Sequence, residues 1–165
     1  MQLMKSFCMV VLALGVWGMF AGCDNSNDVQ KPPQRPEVPK VSISGTAFDG
    51  LILEGYVTVY AWDGGVRGEV LGTGSTDQEG EYNVEIQSSN RPILICVNGS
   101  EGLTGGRYVE EASGNNVYLL PEDSLCAVQN YSGSTLKTSL TYFTNIAFGL
   151  AEYMVSTGMN MTIRI

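Results

Sequence analysis

The 165-residue chain contains no histidine. That absence removes Ser-His-Asp and Cys-His nucleophile systems and any His-ligated metal centre. Cations are also scarce: 9 Lys and Arg stand against 17 Asp and Glu, a net charge of -8. A sequence-independent nucleic-acid binder needs a basic face to displace counterions, so nucleic acid is not an expected partner. Methionine is missing between Met19 and Met154, so a core in that stretch must be built from Val, Ile and Tyr, whose rotamers are better defined. What is present excludes a wholly disordered chain: 44% of residues are hydrophobic and 9% aromatic. The apolar content is uneven, because 16 of the first 22 residues are hydrophobic.

Those first 22 residues carry one charge, Lys5, followed by an uncharged run from Ser6 to Gly22. The run is short for a spanning helix and suits a signal-peptide core over 1–22. It ends in Phe20-Ala21-Gly22-Cys23, where two small residues admit a peptidase before a cysteine. This resembles the bacterial lipobox, with Phe20 in place of the usual Leu. The resemblance implies cleavage before Cys23, lipidation of Cys23 and anchoring to a membrane of the bacterial cell envelope. Acyl chains contribute about 0.8 kcal/mol per buried CH₂, so several hold firmly. Asp24 resembles an inner-membrane retention signal. The alternative is an uncleaved membrane anchor in which Cys23 is incidental.

Residues 23–40 contain Pro32, Pro33, Pro36 and Pro39 without apolar periodicity. They read as an extended tether, with a reach of about 50 Å at the polyproline rise. From Val41 the texture changes to short alternating runs broken by Gly, Asp and Asn. Strands are expected at 41–45, 56–62, 69–76, 82–86, 92–97, 117–120 and 125–131. Pro92 to Val97 is continuously apolar, as in a central strand. About seven strands over 41–131 predict an all-β, antiparallel sandwich.

The turn Thr76-Asp77-Gln78-Glu79-Gly80-Glu81-Tyr82 is expected to close a hairpin. Asp77 folds its carboxylate onto following N–H groups, Gly80 takes positive φ, and Tyr82 returns inward. With Gly45 to Gly50 and the run Val57 to Tyr60, this pattern resembles the carboxypeptidase regulatory-domain-like family. The resemblance covers about residues 41 to 99. It implies a transthyretin-like Greek-key sandwich, with Asp77, Gly80 and Tyr82 as structural turn residues and no catalytic site.

Cys96 and Cys126 fall in separate strands and, in an oxidising compartment, form either a disulfide or two buried thiols. Asp49, Asp63, Asp77, Glu79 and Glu81 lie in turns without EF-hand spacing and read as turn formers rather than a Ca²⁺ site. No cofactor is called for. In the strand 56–62, Val57, Val59 and Ala61 share one face; Tyr56, Thr58, Tyr60 and Trp62 share the other. The aromatic row Tyr56, Tyr60 and Trp62 is a candidate binding face for a glycan or an envelope protein, or else is covered by the rest of the chain; cover is the favoured expectation.

From Tyr142 to Thr157 the period becomes helical. Phe143, Ile146, Ala147, Leu150, Ala151, Met154 and Val155 form the expected apolar stripe of an amphipathic helix over 141–158. Thr141 is placed to cap it and Gly158 to end it. The helix lies on the β module, over the aromatic row, or begins a second domain. Ser44 to Gly99, Tyr108 to Ala112 and Thr141 to Gly158 together resemble the start of larger lipoproteins, which makes a truncated reading frame a third expectation. The functional expectation is a lipid-anchored envelope protein with a non-catalytic scaffold or binding module. A carboxylate-based hydrolase and an inactive fragment are the alternatives.

Overall fold

Residues 37–159 are described by a computed structural model. The signal segment, Cys23, Asp24 and the tether up to residue 36 lie outside the described residues. The described chain is mostly β with one C-terminal helix. Its strands are β1 (Lys40–Phe48), β2 (Tyr56–Asp63), β3 (Val66–Ser75), β4 (Glu81–Gln87), β5 (Ile93–Asn98), β6 (Arg107–Val109), β7 (Asn116–Tyr118), β8 (Ser124–Gln129), β9 (Leu136–Lys137) and β10 (Leu140–Thr141). Helix α1 spans Tyr142–Ser156.

One sheet has the order β3-β2-β5-β8 and is antiparallel throughout. In a second, β1 pairs antiparallel with β4 and parallel with β9 and β10. β6 and β7 form a small hairpin. Residues of both larger sheets make one hydrophobic core, with Ile43, Val57, Val59, Val84, Ile86, Ile93, Ile95 and Val97 among its members. The alternation in β4 puts Tyr82, Val84 and Ile86 into that core and leaves the residues between them exposed. β5 is buried on both faces from Ile93 to Val97. Ile93, Ile95 and Val97 enter the main core, whereas Leu94 and Cys96 enter a second cluster with Trp62, Cys126 and Phe148. That double burial is why its sequence reads as a continuous apolar run.

Three features correct the sequence expectations. There are ten strands among the described residues rather than about seven, and β structure continues past residue 131 to Thr141. The additions, β6, β9 and β10, are two or three residues long, too short to show a period. The sheets are also not wholly antiparallel, because residues 136–141 run parallel beside β1. Finally, the 76–82 turn does not close a hairpin between β3 and β4. It carries the chain from one sheet to the other, with a lone bridge between Thr76 and Tyr82.

The local chemistry of that turn is as read. Asp77 Oδ1 accepts from the N–H groups of Glu79 and Glu81, at 2.9 and 2.8 Å. Gly80 has φ of 70°, and its carbonyl accepts from the Ala47 N–H. Tyr82 is buried and donates its hydroxyl to the Thr138 carbonyl at 2.7 Å. The same carbonyl passes so close over Gly45 that a Cβ there would sit 1.6 Å from it. Gly45 and Tyr82 therefore act together, one making room for the 138 segment and the other holding it against β1. Burial pushes the Tyr82 hydroxyl well above the ordinary tyrosine range.

Helix α1 begins as expected. Thr141 and Thr144 form a reciprocal capping box. Gly158, with φ of 73°, follows its end. Its orientation corrects the expected stripe. Phe148 and Ala151 are the buried residues, while Phe143, Ile146 and Leu150 are exposed, Phe143 at 81%. The helix packs mainly on β8, where Asn145 Oδ1 accepts from the Cys126 N–H at 3.0 Å. At its other end Val155 fills the space above Gly65 in the β2–β3 turn. These two contacts fix the rotation about the helix axis. Among the described residues no helix is long and apolar enough to cross a membrane.

Candidate functional site

The site is built on the outer face of β2. Strand alternation sends Val57, Val59 and Ala61 to the core, each fully buried, and leaves Tyr56, Thr58, Tyr60 and Trp62 on the other side. The row does not share one fate. Trp62 is 5% exposed and meets Phe148 of α1 edge to face, with ring centroids 5.5 Å apart. Tyr56 is 51% exposed, and Tyr60 is half-buried. The expected cover is thus present over Trp62 and absent over Tyr56.

Between these ends lies the Cys96–Cys126 disulfide, joining directly opposed residues of β5 and β8 whose Cα atoms are 4.2 Å apart. Both cysteines are buried under α1. Cys96 faces Thr58 across the β2–β5 ladder, so the bridge forms part of the floor beside the aromatic row.

The open end is a groove of about 430 Å³ whose lining includes Tyr56, Thr58, Tyr60, Arg67, Asn98 and Glu101. This falls within the range of small-ligand sites. Arg67 reaches over from β3, its Cζ 4.9 Å from the Tyr60 ring centroid and one nitrogen 3.9 Å from Cys96 Sγ. Asn98 sits opposite Tyr56 in the ladder. Its amide donates to the carbonyls of Pro121 and Asp123, at 3.2 and 3.1 Å, which ties the loop before β8 to the groove edge. Its Oδ1 is left as an acceptor. Glu101 supplies the one carboxylate of the lining.

Of the residues named from the sequence, the groove brings together Tyr56 and Tyr60 and leaves out Trp62. Asp77, Gly80 and Tyr82 lie in the inter-sheet turn, and Cys23 lies outside the described residues. Among the described residues no three His, Cys, Asp or Glu side chains gather as a metal site, the five turn acids included. Sequence reading missed Arg67, Asn98 and Glu101. A signal for Arg67 was present: the Gly64-Gly65 turn places it opposite Trp62, and directly opposed residues share a face. Asn98 enters through the β2–β5 register, opposite Tyr56, and nothing in the sequence marks Glu101, which the β5–β6 loop brings in.

No family model matches the chain, and no curated protein matches it. Among solved structures, the crystal structure of a 9R-lipoxygenase from Cyanothece PCC8801 is similar over 61% of this chain, at 14% identity and a TM-score of 0.42. The match spans 16% of that protein's length. A likeness this distant carries no argument about activity.

Proposed function

We propose that this chain is a lipid-anchored protein of the bacterial cell envelope whose β region is a non-catalytic, transthyretin-like Greek-key sandwich that binds a glycan in the outer-face groove. The observation that carries the binding role is the half-open aromatic platform of Tyr56 and Tyr60, beside Arg67, Asn98 and Glu101. Aromatic faces stack on the apolar faces of sugar rings, and a few fixed polar groups select the hydroxyls. The sandwich reading is supported by the single core drawn from two sheets. The anchor reading is supported by the residues 20–23 and the Pro-rich tether behind them. Hydrolysis of a glycosidic bond ordinarily uses two carboxylates, and the groove lining contains one.

Two experiments test this. Palmitate labelling of the full chain is expected to disappear in Cys23→Ala; persistence of the label refutes the anchor. Binding of envelope-type oligosaccharides is expected to weaken about tenfold or more in Tyr56→Ala, the loss of one aromatic contact and its buried area. Unchanged affinity refutes the groove.

A second reading is favoured by a separate observation. Phe143, Ile146, Leu150 and Tyr153 are uncovered on α1, at helical spacing. In that reading the β module is one part of a larger lipoprotein, and a further domain packs on this stripe. Downstream DNA encoding the rest of such a lipoprotein, in any frame, is the expected finding; its absence counts against the reading.

A further inference from the structure

The groove is electrostatically lopsided, and the asymmetry points to a ligand class. On this acidic chain, Lys40, Arg91 and Arg107 each have a carboxylate within 4 Å. Among the described residues Arg67 and Lys137 have none, and of these two Arg67 lines the groove; its guanidinium rests on the Tyr60 ring and beside Cys96 Sγ. A guanidinium stacked on a ring is held in orientation while its fork of donors stays available at the edge. That fork matches a carboxylate with two parallel hydrogen bonds. Arg67 is exposed, so a ligand reaches it.

The ladder fixes where the charges lie along the groove. Arg67 is paired with Trp62, and its guanidinium reaches back over Tyr60. Asn98 is paired with Tyr56 at the far end, and Glu101 follows it in the loop after β5. Four residues of strand, about 13 Å, separate Tyr56 from Tyr60, room for about three sugar rings. A ligand anion at Arg67 is thereby kept away from Glu101, while Glu101 and Asn98 Oδ1 accept from hydroxyls at the other end. The whole chain carries -8, which disfavours a polyanion.

We infer that the groove selects a short glycan segment carrying a single carboxylated sugar, bound with its carboxylate on Arg67 and a neutral ring on Tyr56. The inference rests on the glycan-binding reading of this groove and names its substrate class.

The test is calorimetric titration of the full-length protein in detergent with matched trisaccharides, each offered as a neutral form and with one terminal uronic acid; xylotriose and aldotriouronic acid make one such pair. The acidic members are expected to bind about tenfold or more tightly than their neutral partners, the effect of a charge-assisted hydrogen-bond pair. Arg67→Gln is expected to erase the preference, so that acidic and neutral members bind alike, Arg67→Lys to keep part of it, and Tyr56→Ala to weaken both forms. Equal binding of neutral and acidic members, insensitive to Arg67→Gln, overturns the carboxylate selection and leaves the groove standing. Failure of every member to bind the unaltered protein overturns both.

Discussion

The two ends of the outer face of β2 began as one pattern and finished as two environments. Tyr56, Thr58, Tyr60 and Trp62 obey the same alternation. Trp62 lies under Phe148 with the disulfide beside it, whereas Tyr56 looks into an open groove. Nothing in the strand itself separates them. The difference is made by α1, which runs from β8 to the β2–β3 turn and stops short of the Tyr56 end. A period fixes which way side chains point; whether that side is core or surface depends on what else packs there.

The contrast can be broken most strongly from beneath the covered end. Replacing Cys96 and Cys126 together by Ala is expected to cost about 3–4 kcal/mol, from a loop of 30 residues no longer closed in the unfolded chain. Denaturant unfolding measures this, and a change below about 1 kcal/mol would mean that β5 and β8 need no staple. Phe148→Ala should follow, at about 3 kcal/mol for a large side chain removed from a nearly closed site. It should also shift Trp62 emission to longer wavelength, making the covered end resemble the open one. An unmoved spectrum would show that Phe148 does not seal Trp62.

The inner face offers a control by pH. The Tyr82 hydroxyl titrates above its ordinary value in the folded chain, so above about pH 10 the unfolded chain loses this proton first. Its contribution is complete below pH 10 and declines as pH rises beyond it, by about 1.4 kcal/mol per pH unit. Tyr82→Phe is expected to flatten this decline; an unchanged slope would place its origin elsewhere. The smallest effects belong to the open surfaces. Tyr56→Ala and Phe143→Ser should each alter stability by less than about 0.5 kcal/mol, since neither side chain is enclosed. A loss above 1 kcal/mol in either would show that the surface is covered in solution.

How much of this was readable from the chain depended on the length of each signal. β2, β4 and β5 announced themselves by alternation or by unbroken apolarity, and α1 by its period and its Thr141 cap. β9 and β10 have two residues each and exist only because β1 offers them an edge. The direction of α1 was not readable for a different reason. Phe148 lies outside the expected stripe, yet it and Ala151 are buried, while Phe143, Ile146 and Leu150 are not. A helix with apolar residues around most of its circumference has no single preferred face until a neighbour chooses one. Here the choice is made by Asn145 on the Cys126 N–H and by Val155 over Gly65. The groove was half readable: Tyr56 and Tyr60 followed from strand alternation, whereas Asn98 depended on the pairing of β5 with β2 and Glu101 on a loop.

By itself the sequence determined the elements that carry their own period, the Asp77–Gly80 turn, the caps of the helix and the exclusion of histidine chemistry. These are local, because they rest on backbone preferences and on side chains a few residues apart. Only the tertiary structure decided that the turn crosses between sheets, that Gly45 lies beneath the Thr138 carbonyl, and that one end of the aromatic row is sealed while the other stays open. Those outcomes depend on contacts between residues far apart in the chain, whose partners are set by packing and not by spacing.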